Sequence, residues 1–280
     1  MASETPVHFF DITSNLPIPS KSWSPNTLRT RLVLNFKKIP YTQSFISYPD
    51  IAPLLKSLSV PPLQDGPYPY TLPAIAHHPP SNPSNPNIPN PNGVINDSWP
   101  IAVYLESAFP APHHPTIFPS AGSYALALAV GKLVNVMGPA TRRILLPKIP
   151  AILDERGAEY FRQTRAEMFG KPLEEMELET EEVEKAWVSV GADLKLVAGM
   201  LKGSPCGEGK GEGKKGPFFE GEKAGYADLV FAGYLAWYER GDRGAWERVV
   251  SVGDGEIRRF WDACLPWIDG QGDYMEYVPI

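Results

Sequence analysis

Ser24-Pro25-Asn26-Thr27-Leu28-Arg29-Thr30-Arg31-Leu32-Val33-Leu34-Asn35-Phe36-Lys37-Lys38 is the stretch that decides the fold. A short hydroxyl side chain followed by proline is how a chain opens a helix. Leu28, Leu32 and Phe36 then recur at helical spacing with Val33 beside them, which predicts one apolar face. The free N–H groups at such a start, together with the positive end of the helix dipole, make a site for an anion. Ser24 is then either only a helix cap or also a hydroxyl placed to stabilise a bound thiolate or phosphate.

The segments around this helix alternate. Val7–Ile12 reads as a strand, and Tyr41–Tyr48, rich in aromatic and β-branched residues, as a second. Tyr70–Ala76 and Gly93–Asn96 read as two more short strands. A helix follows from Ser98, carrying Ile101, Tyr104, Leu105 and Ala108. Between the second and third strands Ile51–Pro69 is Pro-rich and shows no clear period.

Proline divides the 280 residues, since 23 of the 31 prolines lie at or before Pro119. Short strands and turns are expected before that point and mostly helix after it. Ser123–Val136 is apolar on most sides and predicts a buried central helix. Leu173–Leu201 begins charged and becomes amphipathic, Tyr226–Tyr238 is apolar, and Trp246–Trp267 completes a bundle. The expected division is an α/β domain over residues 1–111 and an all-α domain over 112–280. Two low-complexity segments, 79–93 (Pro, Asn, Ser) and 202–217 (Gly with Lys and Glu), read as solvated loops.

Composition narrows the class. A chain 43% hydrophobic and 21% charged suits a soluble globular protein, and a net charge of −6 argues against nucleic acid or an anionic membrane as partner. Cys206 and Cys264 are too few for a disulfide framework or a cysteine-rich zinc site, and read as reduced thiols of a cytoplasmic protein. Residues 1–6 have neither a basic nor an apolar signal region. The longest apolar run, Tyr124–Met137, is short for a membrane span and carries Lys132. The paired histidines at 77–78 and 113–114 lack carboxylate or cysteine companions, so no metal is expected.

Two further sites complement Ser24. Leu72-Pro73 puts proline inside a strand, which an edge position or a cis bond explains. A cis bond turns the Leu72 N–H and C=O outward, where an extended peptide can pair with them. Asp97-Ser98 lies where a strand meets a helix. Its N–H groups and hydroxyl suit the carboxylate of an α-amino-acid head group, and Asp97 suits its ammonium.

These residues resemble the glutathione S-transferases. The Ser24-Pro25-x-x-x-Arg29-x-Arg31 pattern is similar to the catalytic helix start of the serine- and cysteine-type classes. Leu72-Pro73 resembles the cis-proline site, Asp97-Ser98 the acidic-Ser motif for the γ-glutamyl group, and Pro217–Gly221 through Tyr226-Ala227-Asp228 the second-domain signature. Trp23–Thr27, Tyr48-Pro49-Asp50-Ile51, Pro150–Leu153, Glu159–Arg162, Thr164-Arg165 and Phe169-Gly170-Lys171 resemble the fungal etherase-like class, itself similar to bacterial lignin β-etherases. The resemblance implies a thioredoxin-like domain of order β-α-β-α-β-β-α followed by a helical bundle. It further implies a cytoplasmic homodimer with glutathione as co-substrate and a role in detoxification.

Ser24 is then the catalytic donor to the glutathione sulfur, and Asn26, Leu72, Pro73, Asp97 and Ser98 the glutathione-binding residues. Asn26 either reinforces the sulfur contact or only caps. Hydrophobic or aromatic electrophiles, aryl ethers among them, are the implied substrates, bound between the domains. There Arg142, Arg143, Arg162 and Arg165 either meet an acidic or phenolic ligand or stay solvated. The same fold also serves as a non-catalytic carrier of aromatic or phenolic ligands and as an interaction module. Gly225 stands where the second-domain helix usually has a Ser/Thr cap, with Asp228 placed to accept from its N–H.

Overall fold

The computed structural model describes residues 6–64, 68–78, 93–176, 180–203 and 214–277. Along the first part run β1 (Val7–Ile12), α1 (Pro25–Phe36), β2 (Tyr41–Ile46), α2 (Tyr48–Ser57), β3 (Ala74–Ala76), β4 (Val94–Asn96) and α3 (Ser98–Ala108). α1 is the crossover that makes β1 and β2 parallel, with Val7 opposite Tyr41. β3 and β4 return antiparallel, with Phe9 opposite Ile75 and Ile75 opposite Ile95. The thioredoxin-like order expected from sequence is the order observed.

All six residues of β1 are buried, as befits a strand covered on both faces. Its two polar members are satisfied. His8 pairs with Thr42 Oγ1 (2.8 Å) and Ser44 Oγ (2.9 Å), and Asp11 with Arg31 and Ser22. Burial pulls His8 down to about 4, so its ring is neutral at pH 7.

Several boundaries differ from the sequence expectation. α1 is buried around most of its circumference, including Thr27, Thr30 and Arg31, because α3 and the helices of the second part pack on it as well as the sheet. The third strand is only Ala74–Ala76, since the proline at 73 ends the ladder. A helix, α2, starts at Tyr48, where the second strand was expected to continue, and runs into the Pro-rich stretch. Pro49 occupies the first turn, where a missing N–H costs nothing. The sheet gains a fifth strand from the far end of the chain: β5 (Asp273–Tyr274) runs parallel to β2, giving the order β4-β3-β1-β2-β5.

The second part holds α4 (Ser123–Leu145), α5 (Glu155–Phe169), α6 (Thr180–Lys202), α7 (Tyr226–Gly241), α8 (Arg243–Val250) and α9 (Glu256–Ile268), with 3₁₀ turns at Leu146–Ile152 and Leu173–Met176. The stretch expected to run as one helix from Trp246 to Trp267 breaks between α8 and α9. Gly253 and Gly255 there take φ of 82° and 88°, which a helix does not allow. α4 is not buried on all sides: Tyr124, Leu128 and Val136 are 49%, 50% and 58% exposed. The expected loops at 79–93 and 202–217 fall largely outside the described residues. Among the described residues no helix is long and apolar enough to cross a membrane, and no cluster of His, Cys, Asp and Glu is arranged to hold a metal.

Buried α7 begins at Gly225, whose N–H donates to Asp228 Oδ2 (2.8 Å) while the Phe219 N–H donates to Oδ1 (2.9 Å). The carboxylate thus fixes both the helix start and the turn before it. Burial pushes Asp228 up to about 6 despite these two donors. The folded chain therefore keeps this proton to higher pH than the unfolded chain, and stability falls as pH rises from about 4 to about 6. We expect the stability advantage of wild type over Asp228→Asn to be larger near pH 4 than at pH 7, by roughly 3 kcal/mol. Urea titrations at the two pH values measure this, and an advantage independent of pH contradicts it.

Candidate active site

Ser24 occupies the cap position of α1 with extended backbone (φ −71°, ψ 130°). Its carbonyl accepts from the Leu28 N–H (2.9 Å) and from Thr27 Oγ1 (3.3 Å). Its hydroxyl caps nothing and makes no hydrogen bond among the described residues, although the residue is buried. The side chain named from sequence as a cap is therefore free for a ligand.

Three interactions hold the turn that carries it. The Trp23 indole donates to Thr13 O (3.3 Å), Ser22 Oγ donates to Asp11 Oδ2 (2.5 Å), and Arg240 Nε of α7 donates to Ser22 O (2.9 Å). α7 also crosses the start of α1 at Gly233, where a Cβ would lie 3.2 Å from Pro25 O. The missing side chain lets the bundle close on the Ser24 turn.

The Leu72–Pro73 peptide is cis. No backbone hydrogen bond holds the Leu72 N–H or C=O among the described residues. Asn96 secures this corner by donating from Nδ2 to Thr71 O (2.7 Å) and Pro73 O (2.8 Å), while the Asp97 N–H donates to Pro73 O (3.1 Å). Asp97 itself adopts φ 78°, ψ 139°, a sparsely populated conformation for a non-glycine residue, and Oδ1 accepts from the Ser98 N–H at 2.6 Å. Ser98 is buried at the start of α3, and its carbonyl accepts from Tyr226 Oη (3.3 Å). Asn96 was not among the expected site residues. An amide next to an acidic-Ser pair has no signal of its own in one sequence.

Ser24, Asn26, Tyr48 and Arg165 form the wall between two adjoining cavities. One, about 170 Å³, runs toward Tyr70, Thr71 and Leu72. The other, about 240 Å³, lies between the two parts of the chain, walled by Trp23, Phe161 and Trp237 and carrying Arg29 and Arg142. Ser98 opens instead on a third cavity of about 300 Å³, beside Trp99, Lys132 and Tyr226. Arg29 lines both this cavity and the interdomain one. The structure thus brings Ser24, Asn26 and Leu72 to one groove, joins Pro73 to Asp97 by a hydrogen bond, and sets Ser98 around the corner past Arg29.

Electrostatics favour negative charge throughout. Burial lowers Arg29, whose Nε has no partner, against the opposing pull of Tyr226 and Asp97, and an arginine so placed stays protonated. Burial pushes Tyr48 and Tyr226 up to about 12, so both are neutral hydroxyls at pH 7. Arg165 lies over three rings, those of Phe161 (4.2 Å), Tyr68 (4.5 Å) and Tyr48 (5.6 Å). Of the other arginines noted from sequence, Arg162 pairs with Glu174 (3.0 Å) and Arg143 lines a separate cavity. His77 and His114 bond Tyr104 Oη and Lys37 O, which gives them structural employment.

Comparison with known proteins agrees with this geometry. The family description "Glutathione S-transferase, N-terminal domain" matches residues 23–108, and "Glutathione S-transferase, C-terminal domain" matches 125–267. The chain is 50% identical over 278 residues to the glutathione S-transferase-like protein ustS of Aspergillus flavus, covering 98% of this chain and 95% of that one. A glutathione S-transferase of Ceriporiopsis subvermispora, crystallised in complex with glutathione, superposes with a TM-score of 0.75 at 33% identity, covering 93% of this chain and 97% of its own. A glutathione transferase of Phanerochaete chrysosporium gives 0.77 at 30% identity, with 99% and 100% covered. With both domains matched and half of the residues identical to a relative over almost its whole length, the chain belongs to the glutathione S-transferase family.

Proposed function

We propose that this protein is a serine-type glutathione transferase in which the Ser24 hydroxyl stabilises the glutathione thiolate. The observation that carries the reading is that hydroxyl, which makes no hydrogen bond among the described residues, on a buried residue at the start of α1 that lines both cavities. The residues present suit the tripeptide. Unpaired Leu72 N–H and C=O groups suit the cysteinyl backbone, and Asp97, Ser98 and Arg29 suit the charged γ-glutamyl end. Asn26 and the neutral Tyr48 hydroxyl flank the sulfur position.

Glutathione supplies the sulfur nucleophile, whose free thiol, like that of cysteine, titrates near ~8.5. Holding it near 7 takes roughly 2 kcal/mol of preferential stabilisation of the charged form. A hydroxyl hydrogen bond to a charged acceptor contributes about 1.5–3 kcal/mol, and the helix start adds up to ~1 kcal/mol. Ser24 is a donor, not a nucleophile, and a serine cannot form the mixed disulfide of thiol-exchange enzymes.

Hydrophobic or aromatic electrophiles, including β-aryl ethers of the etherase-like class, fit the aromatic walls of the interdomain cavity. The test is calorimetric titration with glutathione, followed by thiol loss with aryl halides, isothiocyanates and β-aryl ethers. Micromolar-to-millimolar binding with electrophile-dependent thiol loss is expected. Binding of aromatic ligands without thiol loss would show a carrier instead.

A homodimer belongs to the same reading. Trp99 of α3 meets Tyr124 of α4 (5.3 Å), and exposed Val103, Tyr124 and Leu128 continue an apolar strip along the two helices. Sedimentation should give a dimer that Leu128→Asp weakens, and a wild-type monomer at micromolar concentration contradicts it. A cytoplasmic location, where glutathione is kept reduced, is checked by cell fractionation.

A further inference from the structure

We infer that the second substrate is an aromatic electrophile bearing an acidic group, which Arg142 and Arg165 receive in the interdomain cavity. This rests on the glutathione reading above and names the substrate class of that site. The cavity carries Arg29, Arg142 and Arg165 and no aspartate or glutamate. None of the three has an acidic partner within ion-pair distance among the described residues, whereas Arg156, Arg162, Arg240 and Arg248 all do.

Arg29 lies toward Asp97 and Ser98 and so serves the γ-glutamyl side. Arg142 and Arg165 stand apart from that side, on α4 and α5. Arg165 also borders the Leu72 cavity, where a glutathione carboxylate can meet it, whereas Arg142 lines only the interdomain cavity and keeps that cavity cationic with glutathione in place.

The guanidinium of Arg165 is held in position by ring contacts with Phe161, Tyr68 and Tyr48, and that of Arg142 lies close by. That of Arg142 folds back over buried Gly138, where a Cβ would come within 2.9 Å of Nη1, and Gly138 lines the same cavity. The indole N–H of Trp237, also lining the cavity, is buried with no acceptor. Two cations without acidic partners between aromatic walls select a flat ring with an anionic substituent over a neutral one of equal size. The volume of about 240 Å³ admits one such ring system.

The probes are 4-(chloromethyl)benzoate and 4-(chloromethyl)benzamide, which share ring, leaving group and shape. With either, the sulfur–carbon bond forms as the carbon–chlorine bond breaks. Chloride leaves with the electron pair, and the thiol proton passes to solvent. After each rate is divided by its uncatalysed rate, the benzoate should be favoured in kcat/KM by about tenfold or more, less so at high salt. Arg142→Gln with Arg165→Gln should collapse that ratio toward one, and Arg142→Lys should keep most of it. Arg142 is exposed at the cavity mouth, so its substitution leaves the fold intact.

Equal turnover of both probes, or a preference for the amide, overturns the inference while leaving the transferase reading in place. Absence of glutathione binding and of any conjugation overturns the transferase reading instead. In that case tryptophan-fluorescence titration with 4-methylbenzoate and 4-methylbenzamide decides the inference alone: tighter benzoate binding that the double variant abolishes supports it, and equal binding overturns it.

Discussion

Replacing Ser24 with alanine is expected to lower kcat/KM for glutathione conjugation by roughly 10- to 100-fold, the loss of one hydrogen bond to a charged acceptor. The fold should survive, because the Ser24 hydroxyl bonds nothing in the chain and its carbonyl still accepts from Leu28. On the proposed reading glutathione affinity should fall less than turnover, since the groups assigned to the tripeptide at Leu72, Asp97 and Ser98 are unchanged. The specific signature is in the pH profile. With the donor gone, the limiting ionisation of kcat/KM moves upward toward the free-thiol value near ~8.5. Rate constants for Ser24→Ala within twofold of wild type, with an unmoved profile, would sink the assignment and leave Asn26 or Tyr48 as the donor.

Arg31→Ala is expected to be the most destabilising single change near the site. Arg31 and Asp11 form an ion pair at 2.9 Å with both side chains wholly buried. The same guanidinium donates to Gln43 Oε1 (2.7 Å), Gln271 Oε1 (3.0 Å) and Tyr41 Oη (3.1 Å). It therefore ties α1 to β1, to β2 and to the segment that delivers β5. Removing one member of a buried pair strands the other charge away from water, which costs about 3–5 kcal/mol. For a chain of this size that lowers Tm by something on the order of 10 °C. Asp11 also accepts from Ser22, so Ser24 should be less firmly placed and kcat should fall as well. Thermal and urea unfolding of Arg31→Ala, Asp11→Ala and the double variant test this. The double variant should lose less than the sum of the singles. A single-variant Tm within a degree or two of wild type would show that the pair contributes little.

The same helix shows how far one sequence reaches. Leu28, Leu32 and Phe36 declared a helix, and Ser24-Pro25 its start, because capping and periodicity are local properties carried by neighbouring residues. Nothing local distinguished Arg29 from Arg31. One turned out to line two cavities and the other to sit fully enclosed among β1, β2 and the chain end. Tyr48 was read as the end of a strand, and Arg165 as one of four arginines that either meet a ligand or stay solvated. Their meeting at Ser24 depends on α2 docking against α5, secured by the Asp50–Arg156 pair and by Ser47 donating to Asp154.

Sequence by itself determined the order strand-helix-strand then strand-strand-helix of the first part, the two-part architecture and the three short motifs at Ser24, Leu72-Pro73 and Asp97-Ser98. Each is written within a few residues by proline, hydroxyl and apolar spacing. Tertiary structure alone decided that the Ser24 hydroxyl is left uncapped and that β5 completes the sheet from residue 273. It also decided that arginines from α1, α4 and α5 share one cavity with no acid. The reason is distance along the chain. Hydrogen-bond partnership and charge balance are set by groups up to about 240 residues apart, as between Arg31 and Gln271, and no local pattern records which of them will meet.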